Sequence, residues 1–304
     1  MPPQRVVLRV PATTANLGPG FDCLGMALNI YNRVTVAKSQ AFRLHIAGEG
    51  ADKLPSSQDN PICRAIAKAY EEAGEPLPPL SISCHNNIPL KRGLGSSAAA
   101  IVAGLVAANM LLGEPLPQGR LLELAWQMEG HPDNVAACLL GGCQIVVAEG
   151  SRLICSRVPI KRGWWAALLI PDFEIATAQA RAILPQRVSR ADAIYNIGHT
   201  ALLVNALVSG NAQQLKVAVR DRLHQPYRRA LFPAMDSLFG AALDAGADGV
   251  FLSASGPAVL ALGSKEHVPA IAAAMLKAAQ EEKLAAVTKL ARPVDHGVQV
   301  ISMA

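Results

Sequence analysis

Apolar and polar residues follow two different periods along the chain, and the change between them separates strands from helices. Alternation predicts strands at 6–10, ending at Pro11, and at 32–37 and 42–46. The segment 62–73 has helical spacing and stops at Gly74. We expect the three strands to pair in one mixed sheet, with the helix packed against it.

A second group of elements follows a proline-rich connection at 76–79. An extended segment at 80–84 leads through a glycine-containing loop into a helix that begins at Ser96. One face of this helix carries Ile101, Leu105, Ala108 and Leu112. We predict further helices at 121–129, capped by Gly130, and at 133–140, and then a hairpin of strands at 144–147 and 153–158.

The second half of the chain is also predicted to contain both strands and helices. We predict strands at 165–170 and 298–302 and two strands within 249–262, and helices at 176–184, 192–208, 232–245 and 267–281. Strands that alternate with helices in both halves predict an α+β fold, with helices covering the sheet faces. We place a boundary near 159–163, which divides the chain into domains 1–160 and 161–304.

Composition narrows the class of protein. The 304 residues are 51% hydrophobic and 17% charged, which predicts a buried core and excludes disorder. The longest apolar run, 98–112, is shorter than the roughly twenty residues that cross a bilayer, so we expect no membrane span. No signal-peptide pattern begins the chain, and the six cysteines form no C-x-x-C pair. We expect reduced thiols and a cytoplasmic protein.

The charge pattern argues against nucleic acid as a partner. The net charge is +5, but basic residues come singly or in pairs such as Arg228 and Arg229, and only 4% of residues are aromatic. A duplex-binding protein would concentrate lysine and arginine on one helix or stripe. A small anionic ligand fits the pattern better.

The loop before the predicted helix at Ser96 carries the strongest functional signal. Unpaired amides and the positive end of the helix dipole meet at such a helix start, and glycines let a ligand approach the backbone. The segment consists of Pro89, Leu90, Lys91, Arg92, Gly93, Leu94, Gly95, Ser96, Ser97, Ala98 and Ala99. Phosphate binding is one interpretation, and an ordinary N-cap in which a serine satisfies its own helix is the other.

The segment is neither a Walker A sequence nor a G-x-G-x-x-G fingerprint. Pro-x-x-x-Gly-Leu-Gly-Ser-Ser-Ala-Ala resembles the nucleotide loop of the GHMP kinases, a family of small-molecule kinases. Residues 10–22 and 253–257 resemble the first and third motifs of the same family, in the same order. Ala254 stands where the third motif usually has glycine, which puts the close backbone approach there in doubt.

The resemblance implies an ATP-dependent kinase with two domains, the first like domain 2 of ribosomal protein S5 and the second a ferredoxin-like α/β sandwich. Segments 129–136, 177–181 and 226–228 resemble the branch of the family that phosphorylates L-homoserine to O-phospho-L-homoserine in threonine biosynthesis. This branch implies a homodimer by analogy. Two alternatives remain open: another GHMP kinase with an isoprenoid or sugar substrate, and an inactive nucleotide-binding regulator.

Candidate metal and nucleotide residues follow from these segments. Glu129 ends a helix, where the dipole disfavours a carboxylate, so Mg²⁺ held with Ser97 and the phosphates could compensate it. A solvated glutamate or an ion pair is the alternative, and the family position favours the metal. Ser255 and Gly256 are expected to support the nucleotide loop, although a turn without a ligand is also open.

Candidate acceptor residues carry both charges that an amino acid requires. The resemblance places Asp133 and Asn134 beside the acceptor hydroxyl, with Asp133 as an orienting group or weak base; an N-cap aspartate is the structural alternative. We predict that Asp22 binds the ammonium of the acceptor and that Arg181 and Arg228 bind its carboxylate. Asn16 and His131 are predicted to add polar contacts to the same site. For Arg181 and Arg228 the alternative is a surface cation, and for His131 it is a loop residue whose ring the backbone satisfies. We assign no role to the other six histidines.

Overall fold

The computed structural model describes residues 2–161 and 163–304, so Arg162, inside the predicted boundary segment, lies outside the described residues. The strands are β1 (Arg5–Ala15), β2 (Leu24–Lys38), β3 (Arg43–Gly48), β4 (Leu80–Asn86), β5 (Cys143–Glu149), β6 (Arg152–Val158), β7 (Trp164–Pro171), β8 (Gly249–Leu252), β9 (Val259–Ser264), β10 (Ala286–Ala291) and β11 (Gln299–Met303). The helices are α1 (Pro61–Glu72), α2 (Ser96–Leu112), α3 (Gln118–Glu129), α4 (Pro132–Leu140), α5 (Thr177–Ala182), α6 (Arg190–Ser209), α7 (Ala212–Ala218), α8 (Gln225–Arg228), α9 (Met235–Asp244) and α10 (Val268–Glu281).

The first sheet is mixed, with strand order β11-β1-β2-β4-β3 and the hairpin β5–β6 attached to β2. The third strand joins this sheet beside β4, with which it is parallel, and is not paired with β1 or β2. A parallel pair needs a crossover connection, and α1 supplies it between β3 and β4. The expectation of a mixed sheet is therefore confirmed, but the pairing of its third strand is different.

Strand β1 does not end at Pro11 as predicted but continues to Ala15. Its pairing with β2 shifts register between Pro11 and Ala12, an irregularity at which a sheet tolerates proline. The extra residues carry Thr13 and Thr14, both fully buried, to the edge of the candidate site.

The second sheet has the order β10-β7-β9-β8 and separates two cores. Because side chains alternate across a strand, Ala166, Leu168 and Ile170 of β7 join the core shared with the first sheet, whereas Ala167 and Leu169 face α9 and α10. Helix α2 lies in the middle of the larger core and is buried on nearly every side, not on one face as predicted.

Three elements of the structure were not predicted from the sequence: α7, α8 and β10. The two helices have seven and four residues, which is too short for a clear period, and β10 is an edge strand with mixed burial. The final strand, β11, returns to the first sheet beside β1. The division at residue 160 stays a prediction. No helix in the described part of the chain is long and apolar enough to span a membrane.

Candidate active site

The loop before α2 leaves the start of that helix open to a ligand. Gly95 precedes the helix in the left-handed conformation (φ 70°), and no side chain caps the helix. The first helical hydrogen bond runs from Ala99 N–H to Gly95 O (2.9 Å), so the amides of the first three helical residues have no partner within the helix. Neither serine satisfies its own helix. The arrangement is that of an anion site.

Both halves of the chain hold this loop in place. Thr13 N–H donates to Leu94 O (3.1 Å), and a Cβ on Gly95 would collide with the Thr13 hydroxyl. From the other side, Ser253 Oγ donates to Gly93 O (2.6 Å), and a Cβ on Gly93 would collide with Ser253 O. Close packing, against a side chain at Gly95 and against backbone at Gly93, therefore requires these glycines, and so do their left-handed conformations.

Ser97 and Glu129 meet at the open end of α2. Ser97 Oγ donates to Glu129 Oε2 (2.7 Å), although 31 residues separate the two in sequence. Burial raises the pKa of the Glu129 carboxyl, an effect that the Ser97 hydrogen bond opposes. Hydroxyl and carboxylate oxygens are ligands that Mg²⁺ prefers. Within residues 2–161 and 163–304, no group of three His, Cys, Asp or Glu side chains could hold a metal ion without other ligands.

Asp133 is a buried carboxyl group in the first turn of α4. The N-cap of this helix is His131, so the alternative that Asp133 caps it is wrong. Asp133 is 2% exposed, and its Oδ1 accepts a hydrogen bond from Asn134 N–H (2.7 Å). Burial, with a smaller contribution from Asp22, raises the pKa of Asp133 to about 7. The carboxyl can therefore exchange a proton near neutral pH.

Asn134 connects Asp133 to the anion site. Thr13 Oγ1 donates to Asn134 Oδ1 (2.6 Å), and a Cβ on Gly95 would lie 3.3 Å from the same oxygen. Asn134 thus lies directly beside the loop that opens α2, and Asp133 is hydrogen-bonded to Asn134.

Arg181, Arg228 and Asp22 gather around the ring of Phe21. Arg181 Nη2 donates to Asp22 Oδ1 (2.5 Å). The guanidinium carbons of Arg181 and Arg228 lie 5.4 and 5.6 Å from the centre of the Phe21 ring. Burial, and then the charge of Arg181, lowers the pKa of Arg228 to about 10. His131 is half-buried within reach of the same charges, and burial and Arg181 lower its pKa.

The side chain of Asn16 is engaged with the protein backbone. Its Oδ1 accepts from Asp22 N–H (3.0 Å), and its Nδ2 donates to Ala254 O (3.0 Å). Arg228 Nη1 donates to the same carbonyl (2.6 Å). Asn16 therefore shapes the loop that carries Asp22, and its predicted contact with a substrate stays a prediction.

Ala254 adopts the left-handed conformation (φ 48°), and its carbonyl accepts the two hydrogen bonds from Asn16 and Arg228. That conformation disfavours alanine by about 1 kcal/mol, whereas glycine adopts it freely but is more flexible when unfolded. We expect Ala254→Gly to change the free energy of unfolding by less than about 1 kcal/mol and to retain activity. Urea denaturation and a kinase assay measure both.

Ala258→Gly is the matched control for this substitution, because Ala258 is fully buried four residues later and does not adopt the left-handed conformation. Its loss of a packed methyl group should destabilise the protein by about 1 kcal/mol. A gain of activity of tenfold or more in Ala254→Gly would contradict the expectation, since it would mean that alanine impairs the site.

The remaining nucleotide-loop candidates contact the second half of the chain. Lys91, whose side chain is exposed, pairs with Glu174 (3.2 Å), and the mostly buried Arg92 pairs with Asp172 (3.2 Å). Gly256 packs against the loop, because a Cβ on Gly93 would lie 3.1 Å from its backbone nitrogen, and the neighbouring Ser255 is half-buried. These contacts agree with a supporting role.

Sequence reasoning gave no role to Phe21 or to His224, and the structure brings both into the site. Their rings stack with centroids 5.2 Å apart. The spacing of His224 and Arg228 by four residues could have signalled that they share a helix face, if helix α8 had been predicted.

Comparisons with known proteins assign the class. The family model described as GHMP kinases N terminal domain matches residues 60–142, and the model described as GHMP kinases C terminal matches residues 203–281. The class of protein that the fold and the open end of α2 define is thus the GHMP kinases.

Relatives that match almost the full length of this chain identify its branch within the family. The homoserine kinase of Nostoc punctiforme is 47% identical over 92% of this chain and 93% of its own length, and that of Moorella thermoacetica is 42% identical over 97% and 99%. The crystal structure of homoserine kinase from Cytophaga hutchinsonii superposes with a TM-score of 0.89 at 32% identity, covering 98% of each chain. The chain therefore belongs to the homoserine kinases of the GHMP kinase family.

Proposed function

We propose that this protein transfers the γ-phosphoryl group of ATP to the side-chain hydroxyl of L-homoserine, giving O-phospho-L-homoserine in threonine biosynthesis. The observation that carries the proposal is the placement of an anion site, at Ser96 and Ser97, directly beside a cluster of both charge signs around Asp133 and Arg228. A phosphoryl donor and a zwitterionic acceptor need such neighbouring sites.

ATP would place its phosphates at the open end of α2, where the free amides and the helix dipole favour negative charge. A cavity of about 230 Å³ extends from Ser96 and Ser97, and its apolar wall includes Val34, Ile46 and Ile62. A purine ring fits this apolar lining beside the phosphates. We therefore propose that the adenine base binds in this cavity.

The acceptor would lie between the Asp22–Arg181 pair and Arg228. Its carboxylate needs a planar cation, which Arg228 and Arg181 supply, and its ammonium needs a carboxylate, which Asp22 and Asp133 supply. In the free protein Arg181 and Asp22 neutralise each other. A bound zwitterion would separate this pair and contact each member with its opposite charge.

Asp133 and Asn134 then position the acceptor hydroxyl against the phosphates. Phosphoryl transfer has a loose transition state, so orientation and charge neutralisation carry much of the rate, and a strong base is not required. A carboxyl with a pKa of about 7 can still accept the proton that the hydroxyl loses. We therefore give Asp133 the roles of orienting group and weak base.

The residues present fit magnesium, because the Glu129 carboxylate and the Ser97 hydroxyl face each other at the phosphate site. These two would hold the ion together with phosphate oxygens and water. When bound, Mg²⁺ neutralises charge on the transferring phosphates.

Substrate identity can be tested with the purified protein, Mg-ATP and separate acceptors: L-homoserine, mevalonate and galactose. We expect ADP release with homoserine alone, and a phosphomonoester signal in the ³¹P spectrum of the product. Turnover confined to mevalonate or galactose would overturn the proposed substrate. ADP release with none of the three would favour a nucleotide-binding regulator.

We expect Glu129→Gln to lower turnover about tenfold or more and to raise the magnesium concentration needed for half-maximal rate. The amide retains the size of the side chain but loses the charge that a hard cation prefers. Glu123→Gln is the matched control, since Glu123 lies on the same helix and pairs with Arg120 (3.0 Å). An unchanged magnesium dependence in Glu129→Gln would remove this residue from the metal site.

We also propose that the protein is a cytoplasmic homodimer. All six cysteines are free, which fits a reducing compartment. Strand β11 is an edge of the first sheet and exposes Val300, Ile301 and Met303, so it offers a surface to a second copy. Analytical ultracentrifugation would test the dimer, and a monomer at micromolar concentration would contradict it.

A further inference from the structure

A buried histidine next to the proposed acceptor site is not used by the mechanism above. His224 has no exposed surface, and both ring nitrogens have partners. Nδ1 lies 3.0 Å from Arg228 Nη1, and Nε2 lies 2.7 Å from Gly18 O. A fully buried polar group is costly unless its hydrogen bonds are made. The two bonds therefore fix the orientation of the His224 ring.

The two partners determine the tautomer of His224. A guanidinium can only donate a hydrogen bond, so Nδ1 must present its lone pair to Arg228. A carbonyl oxygen can only accept, so the proton must lie on Nε2. Burial lowers the pKa of His224 against the opposing charge of Asp221, whose Oδ2 lies 3.6 Å from Nε2, in agreement with a neutral ring at physiological pH.

These bonds close a ring of contacts through three separate segments of the chain. Gly18 and Asn16 belong to the loop after β1, His224 and Arg228 to the short helix α8 and its N-cap, and Ala254 to the turn after β8. Arg228 and Asn16 both donate to Ala254 O, while His224 contacts Arg228 and Gly18. The His224 ring also stacks on Phe21, the residue before Asp22.

We propose that His224 is a positioning residue for the acceptor. It orients the Arg228 guanidinium through Nδ1 and fixes the loop that carries Asp22 through Nε2–H. The inference rests on the proposed function, because it gives Arg228 the substrate carboxylate. His224 itself does not touch the substrate; it holds the cation side and the carboxylate side of the acceptor site at a fixed separation.

Two near-isosteric substitutions separate the two bonds. In His224→Asn, Oδ1 can replace Nδ1 as the acceptor for Arg228; in His224→Gln, the amide N–H can replace Nε2–H as the donor to Gly18 O. We expect His224→Gln to raise the KM for homoserine at least tenfold, because Arg228 loses an oriented partner. We expect His224→Asn to raise it about threefold. The KM for ATP should stay within twofold of wild type in both.

A double-mutant cycle shows whether the effect runs through Arg228. In an Arg228→Ala background, His224→Gln should produce less than a threefold further change in the KM for homoserine, since the partner is already gone. His267→Gln, at the exposed N-cap of α10, controls for loss of a histidine and should change neither KM. Circular dichroism melting checks that each variant folds.

The outcomes distinguish this inference from the proposed function. Wild-type protein that does not phosphorylate homoserine would overturn the function itself. An active wild type, with folded His224 variants whose KM for homoserine stays within twofold, would overturn the positioning role alone. Equal rises in both KM values, or equal effects of Asn and Gln, would also overturn it, since they would indicate only a general structural role.

Discussion

Replacement of Asp133 by asparagine is expected to lower kcat for homoserine phosphorylation by about a hundredfold, which corresponds to about 2.7 kcal/mol in the barrier. Asparagine keeps the volume of the side chain and the acceptor for Asn134 N–H (2.7 Å in the native protein). It loses the charge that faces the acceptor ammonium and the capacity to take a proton. Steady-state kinetics at saturating Mg-ATP measure the change.

The pH dependence of the native enzyme provides the control for this prediction. The pKa of Asp133 is raised to about 7, chiefly by burial, so kcat/KM for homoserine should increase as pH rises through about 7 and the carboxylate forms. Asp133→Asn should lose this increase. A variant that keeps both the native rate and the native pH profile would exclude Asp133 from the reaction.

The same raised pKa makes a prediction about stability with the opposite sign. Between pH 4 and 7 the native carboxyl holds a proton that the unfolded chain has released, so the free energy of unfolding should fall as pH rises through this window. Asp133→Asn lacks the group. Without ligands we expect this variant to be more stable than the native protein at pH 8, by roughly 4 kcal/mol for a pKa difference of about three units, and the difference to shrink towards pH 4.

Features coded by neighbouring residues could be predicted from the sequence. The open end of α2 follows from the local order of glycine and serine residues after a strand, and the predicted helix start at Ser96 agrees with the structure. The hairpin β5–β6 and the helix α1 also follow from local periods and their glycine stops. The α+β class is confirmed, and so is the resemblance to the GHMP kinases.

Features made by distant residues could not be predicted in the same way. The bond from Asn16 to Ala254 O joins positions 238 apart, and the one from His224 to Gly18 O joins positions 206 apart. The residues next to His224 and Ala254 in the sequence form no pattern that predicts these distant partners. Their roles depend on the return of the chain to the loop after β1, which only the assembled fold supplies.

Ala254 and Asp133 are two positions at which the structure departs from the local preference of the residue. An aspartate after a proline at a helix start is usually an N-cap. Here the helix begins at Pro132, His131 is the N-cap, and Asp133 is buried in the first turn. Alanine is unfavourable in the left-handed conformation, yet Ala254 adopts it while its carbonyl accepts hydrogen bonds from two distant side chains. In both cases tertiary contacts prevail over the intrinsic preference, as is common near functional sites.

The second large effect is expected for Arg228→Ala, which should raise the KM for homoserine a hundredfold or more and change the KM for ATP less than threefold. Hydrogen bonds from a cation to a carboxylate contribute about 1.5–3 kcal/mol each, and Arg228 is 2% exposed, so water would not replace the lost charge well. Arg228→Lys keeps the charge without the planar fork and should recover only part of the affinity.

Two comparisons make this prediction specific for the substrate carboxylate. Arg222→Ala removes an arginine six positions earlier that is half exposed and pairs with Asp192 (3.5 Å), and it should leave both KM values unchanged. 3-Aminopropan-1-ol is homoserine without its carboxylate, so the native enzyme should strongly prefer homoserine to it, and Arg228→Ala should lose most of that preference. If the KM for ATP rises and the preference for homoserine persists, Arg228 belongs to the nucleotide site, because an arginine that binds the phosphates cannot distinguish these two alcohols.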